Sequence, residues 1–144
     1  MVFKRKIVEN EILPSALNNG LVSVIHPYFY DHKQVGFFED NKDSIAYVEA
    51  TAEMNYFQGC LSGGRTKEYL SMAEAIREMV EIDLAKSIIG KWWDESYMNK
   101  YFQNHPPLLL SPSFAYLENT DFPFRIKIVQ LDKGKLGGHD FLRN

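Results

Sequence analysis

The sequence sets two tryptophans directly before two carboxylates, Trp92-Trp93-Asp94-Glu95, and follows them with an aromatic-rich stretch to His105. Carboxylates beside flat aromatic rings suit work on a sugar. One carboxylate can attack the anomeric carbon or hold the positive charge that develops there. Tyr and Trp rings offer an apolar face with a polar edge. The same residues also make an ordinary helix start, because an Asp there accepts hydrogen bonds from free backbone N–H groups. By residue type alone, capping is the commoner meaning.

Other groups could carry chemistry, each beside a plainer reading. His26-Pro27 closes a β-rich run, LVSVIH, and strand ends gather ligand residues in α/β folds. A histidine held by its turn is the plainer account. His26, His32, His105 and His139 show neither HExxH nor His-x-His spacing, so no metal site is read from them. Gly63-Gly64 lets a backbone approach a ligand, but it is neither GxGxxG nor a P-loop, and a tight strand-to-helix turn explains it as well. Cys60 lies in a buried-looking strand with no evident histidine partner and reads as a structural thiol. Lys133, Lys135, His139 and Arg143 make a cationic, glycine-rich tail. Arginine can bind two diphosphate oxygens at once, whereas a solvated terminus is the plainer meaning.

These residues need elements to hold them. Leu21 to His26 reads as a strand stopped by Pro27, Ser44 to Val48 as a short strand, and Tyr56 to Ser62 as a buried strand broken by Gly63-Gly64. Thr66 opens a long helix to Lys86, with Tyr69, Met72, Ala73, Ile76, Met79 and Val80 along one face. Asp83 extends that apolar face, which is odd for a carboxylate. Arg77 and Glu81 stand four apart on the wet side. A second helix begins with Asp94 as N-cap, Trp93 and Met98 forming a hydrophobic staple, and ends at Pro106-Pro107. Tyr97, Met98, Tyr101 and Phe102 give its apolar face. Leu108 to Leu110 is a short strand, and Phe124 to Leu131 alternates like another. The tail from Asp132 reads as mobile. The class is α/β.

Composition bounds the partners. With 144 residues and 45% hydrophobic content, the chain can bury one core. A net charge of −3 leaves no basic footprint for nucleic acid. One cysteine permits no internal disulfide and suits a reducing, cytoplasmic setting, peripheral to a membrane at most. The basic start has no apolar run behind it, so it is no signal peptide, and no apolar run is long enough to span a membrane.

HPYFY, YFQGCLSGG, KWWDESYMNKYF and LLLSPSFAYL occur in one order with regular gaps. That order resembles the family 6 glycosyltransferases, which include the ABO blood-group and α-1,3-galactosyltransferases. The family pattern is His-Pro-x-Phe-Tyr, an aromatic strand ending in Gly-Gly, Trp-His-Asp-Glu-Ser-His-Leu-Asn-Lys-Tyr, and Leu-Ser-Pro-Glu-Tyr. The match runs from about Ile7 to Asn144, and the Asp-Glu-Ser-x-x-Asn-Lys-Tyr block is its most specific part.

The resemblance implies a GT-A fold, mixed sheet with flanking helices, and retaining transfer of Gal or GalNAc from UDP-Gal or UDP-GalNAc in α-1,3 linkage to a galactoside acceptor, fucosylated or not. It makes Glu95 the nucleophile or charge stabiliser at the sugar carbon, with both roles open. It gives Asp94 the donor-sugar hydroxyls and sets Gln58, Gly59 and Cys60 where the family selects Gal or GalNAc. His26 and Trp92 fall to the acceptor, and Lys133 and Arg143 to the diphosphate. It provides Asp83 with a family counterpart but no role. Trp93 stands where animal members have His and is also assigned to the acceptor, with altered contacts there. Ser113 and Leu117 replace a Glu and an acceptor-binding Asp, and Glu118 is the neighbour able to substitute.

The chain has no Asp-x-Asp, the motif through which animal relatives hold Mn2+. Some bacterial relatives carry Asn-x-Asn and work without metal. Met1 and Phe3 match the residues just after that motif. Residues 1–144 are therefore expected to be a single domain, the acceptor-binding and catalytic portion of a bacterial member begun at an internal methionine, without the nucleotide-binding half, inactive alone and carrying no cofactor. The alternative expectation is a non-catalytic carbohydrate-binding remnant.

Overall fold

A computed structural model describes residues 20–138. Arg143 and His139, with Met1, Phe3 and the start of the match at Ile7, lie outside the described residues. Strand β1 (Leu21–Ile25) is the centre of a three-stranded sheet. On one side it pairs antiparallel with β2 (Phe57–Gly64), on the other parallel with β3 (Leu108–Leu110). Helix α1 (Thr66–Ala85) follows β2, and helix α2 (Asp94–Asn104) precedes β3. A 3-10 turn (Pro112–Ala115) leads into a two-residue parallel pair, β4 (Tyr116–Leu117) with β5 (Val129–Gln130). The mixed sheet with helices is the expected α/β class.

Alternation along β1 supplies both cores. Leu21 enters a cluster with Phe57, Met72, Met98 and Phe102 on the helix side, and Ile25 packs against it. Val24, with Val22 alongside, faces Leu110, Phe114 and Ala115 on the other side. A third cluster of Phe29, Phe38, Val48 and Tyr56 sits under the loop that follows β1.

Local chemistry explains where the elements depart from expectation. Gly63-Gly64 does not break β2 but completes it, opposite Val22 and Leu21. A Cβ on Gly64 would come within 2.3 Å of the Gly20 carbonyl, so the two chains meet there only because side chains are missing. Ser44 to Val48 forms no strand; Glu39 and Tyr47 make a lone bridge. That loop is held instead by side chains, because Asp83 accepts hydrogen bonds from the Ser44 hydroxyl, the Ile45 N–H and the Tyr97 hydroxyl. Burial opposes the Asp83 charge, but those donors outweigh it and hold its pKa below the usual range. The carboxylate misplaced on an apolar face is thus a buried tie between the loop and both helices.

Helix α1 buries less than its periodicity suggests. Only Met72 and Asp83 are buried, and Tyr69 and Ala73 are exposed. The expected Arg77–Glu81 pair is present, with Glu74 joining it. Asp94 is the first residue of α2 rather than its cap; Trp93 takes the cap position, and its side chain makes no capping hydrogen bond. Trp93 is 62% exposed, so no staple with Met98 forms. Phe124 to Leu131 yields only β5, because Phe122 and Phe124 turn to stack on each other and against Tyr116. The tail starts with an ordered 3-10 turn (Lys133–Leu136), capped by the Asp132 carboxylate.

Candidate active site

The site is built where β2 leaves its partner. Two steps along β1, Ser23 to Ile25, are matched by five along β2, Ser62 to Phe57, so the residues between bow out of the ladder. Bulges of this kind re-aim a strand locally and free backbone groups from pairing. Gln58, Gly59 and Cys60 all lie in the bowed segment. The Gly59 N–H donates to Glu95 Oε2 at 2.6 Å. A Cβ on Gly59 would stand 3.2 Å from that oxygen, so glycine permits the approach.

Helix α2 brings Glu95 to this spot by a specific dock. Asn99, fully buried one turn after Glu95, accepts the Phe57 N–H at 2.9 Å and donates to the Phe57 carbonyl at 2.8 Å. Its amide stands in for a neighbouring strand. Ser96 accepts the Trp92 N–H at 3.0 Å, and Lys100 donates to the Tyr47 carbonyl at 2.7 Å. The specific block of the sequence is therefore mostly scaffold: Ser96, Asn99 and Lys100 fix the helix, and Glu95 meets the bowed segment of β2.

Glu95 is half-buried, and its second oxygen accepts the Tyr56 hydroxyl at 2.6 Å. Tyr56 is fully buried; burial first, then the Glu95 bond, pushes its pKa up, so it stays a donor. Asp94 beside it is exposed. Cys60 is exposed rather than buried, which corrects the structural-thiol reading. Partial desolvation and then the Glu95 charge push its pKa up to about 11, so it is a thiol near neutrality. Gln58 exchanges amide hydrogen bonds with Gln130 of β5.

His26 lies on the far side of Tyr56, whose ring it contacts. It is buried within an aromatic cage of Tyr28, Phe29, Phe37 and Tyr56, with ring centroids 5.0–6.1 Å away. Its Nδ1 accepts the Tyr28 N–H at 3.2 Å, which leaves Nε2 as the protonated donor. Burial lowers its pKa to about 4, so it is neutral near pH 7. Trp92 is 43% exposed and packs on Phe37 at 5.4 Å. Behind Phe37 runs an open cleft lined also by Phe38, Tyr47 and Lys91.

Other expected residues stand apart from this constellation. Trp93 points to solvent with φ at 49°, an uncommon backbone state for a bulky residue. Glu118 accepts the Asp132 N–H and pairs with Lys135 at 2.7 Å, tying the tail's 3-10 turn to β4. Lys133 is exposed on that turn. Tyr56 and Phe37 were missed by sequence reasoning. Tyr56 opens the strand run YFQGCLS, but nothing in its spacing reveals a partner 39 residues away. Among the described residues, no group of three or more His, Cys, Asp or Glu side chains is placed to hold a metal ion.

Comparison with known proteins adds to this geometry. The glycosyltransferase family 6 model matches residues 1–144. The chain is 30% identical over 128 residues to the O-antigen biosynthesis glycosyltransferase WbnI of Escherichia coli, covering 88% of this chain and 55% of that protein. It is 31% identical over 117 residues to globoside alpha-1,3-N-acetylgalactosaminyltransferase 1 of Mus musculus, covering 80% and 34%. It is 31% identical over 100 residues to histo-blood group ABO system transferase 2 of Rattus norvegicus, covering 68% and 30%. The chain thus spans about half the length of the first and about a third of the others.

Proposed function

The chain belongs to glycosyltransferase family 6, and from that premise we propose that it forms the acceptor-side, carboxylate-bearing portion of a retaining hexosyltransferase. The donor is UDP-Gal or UDP-GalNAc, and the product is an α-1,3 linkage on a galactoside. The observation that carries this reading is Glu95, half-buried and held by donors on both oxygens. A carboxylate so placed can attack the sugar carbon or stabilise its positive charge as UDP leaves. Names of the relatives support the chemistry, since one is an α-1,3-N-acetylgalactosaminyltransferase and another an ABO transferase.

The remaining roles are assigned to the residues around Glu95 and His26. Neutral His26 offers an N–H to an acceptor hydroxyl, and Trp92 with Phe37 offers a flat apolar surface to a sugar face. Gln58, Gly59 and Cys60 border Glu95 and bound the donor sugar; Asp94 meets its hydroxyls. Lys133, on the turn tied to Glu118 through Lys135, and Arg143 are assigned to the diphosphate. Glu118 is occupied by that tie, which argues against a direct acceptor role. No metal ligand is assigned to this portion.

The test is transfer by the full polypeptide from UDP-Gal and UDP-GalNAc to lactose and to a fucosylated lactose. Glu95→Gln is expected to lower kcat by about a hundredfold or more while the fold persists. Near-normal turnover overturns the role of Glu95. Binding of lactose without any response to UDP would favour the carbohydrate-binding remnant.

A further inference from the structure

We propose that Tyr56 is a positioning residue for the reaction: its phenol and the Gly59 N–H clamp one oxygen each of Glu95 and fix the carboxylate against the sugar carbon. This rests on the reading of Glu95 given above. A glutamate side chain has three rotatable bonds, and a half-buried one samples several rotamers unless its oxygens are held. Here Oε1 takes the Tyr56 O–H and Oε2 the Gly59 N–H, both at 2.6 Å. Hydrogen bonds to an ionised acceptor are the short, strong kind, and two of them define the plane of the carboxylate.

The Tyr56 ring that carries the clamp is closely packed. It is 0% exposed, and the Phe38, Phe29, His26 and Phe37 rings surround it at 5.0, 5.4, 5.8 and 6.2 Å. Gly36 lies flat against it: a Cβ there would fall 2.5 Å from the tyrosine Cβ and Cγ. The Tyr56 carbonyl also accepts the His26 N–H at 2.9 Å. One residue therefore joins His26 to the carboxylate, so the placement of the two is set together. Its phenol bears a single proton, which it donates to Glu95.

Tyr56→Phe removes only that O–H and keeps the packed ring. In transfer from UDP-Gal and UDP-GalNAc to lactose, kcat is expected to fall about tenfold or more, the worth of one charge-assisted hydrogen bond. KM for donor and acceptor should stay within about twofold, since neither substrate touches the phenol. Gly36→Ala, which displaces the ring while keeping the hydroxyl, should reproduce the kcat loss. A readout free of substrate is the carboxyl carbon resonance of Glu95, identified by its absence from Glu95→Gln; it should move in Tyr56→Phe. An unmoved resonance overturns the proposal. So does a Tyr56→Phe protein changed chiefly in KM, or one within about twofold of wild type in kcat while Glu95→Gln is inert. A fully active Glu95→Gln protein sinks instead the catalytic reading on which the proposal stands.

Discussion

A β-carbon at position 59 would press on the carboxylate that the bowed strand has been shaped to meet. It would stand 3.2 Å from Glu95 Oε2, whose partner oxygen is already fixed by Tyr56. The carboxylate has little room to yield, so Gly59→Ala should lower transfer by roughly tenfold, the scale of a sub-ångström misplacement at a reacting centre. Steady-state assay against wild type checks this, and unchanged kcat would mean the carboxylate slides freely. The glycine was legible in the sequence as part of an aromatic strand ending in Gly-Gly. Its contact with Glu95 was not, because it depends on a strand and a helix docking at one register. Cys60 shows the same limit: its neighbours read as a buried strand, yet the bow turns it to solvent.

At the scale of elements, α2 and β2 act as one unit through the Asn99 amide. Asn99→Asp keeps an acceptor for the Phe57 N–H but sets a carboxylate against the Phe57 and Glu95 carbonyls, which now receive donors. The expected loss is about 2–4 kcal/mol, from buried groups left unpaired and a charge in their place. Urea denaturation of the variant measures it; a loss below about 1 kcal/mol would show that the dock is plastic. Helix positions and the apolar face of α2 could be read from spacing of three and four. The burial of α1 could not, because periodicity marks which side is apolar but not how much of the protein lies against it. Phe124 to Leu131 alternated like a strand, yet aromatic stacking between Phe122 and Phe124 outcompeted extension.

For the molecule as a whole, acid should act through two buried groups. The His26 pKa is lowered from 6.5 to about 4 by burial. The unfolded chain therefore takes the proton first, and stability falls as pH drops from the free value toward the folded one. At about 1.4 kcal/mol per pH unit, His26 accounts for about 3 kcal/mol across that window. Asp83 acts in the same direction: its donors hold its folded pKa below the usual carboxylate range, so its contribution is present at neutral pH and disappears as pH falls through that range. Denaturation midpoints from about pH 7 to about pH 4.5 should thus decline more steeply for wild type than for His26→Gln. Parallel declines would place the acid sensitivity elsewhere.

By itself the sequence determined the α/β class, the run of both helices, β1 and β3, and the family, because periodicity and ordered short motifs are local properties of the chain. It also singled out Glu95, by its place in the most specific of those motifs. Only the tertiary structure decided what surrounds Glu95 and what Asp83 is for. The bow in β2, the Asn99 dock, the Tyr56 clamp and the Ser44–Asp83–Tyr97 tie each join residues 14 to 42 positions apart. Such contacts follow from how layers pack against one another, and a local pattern contains no distance between layers.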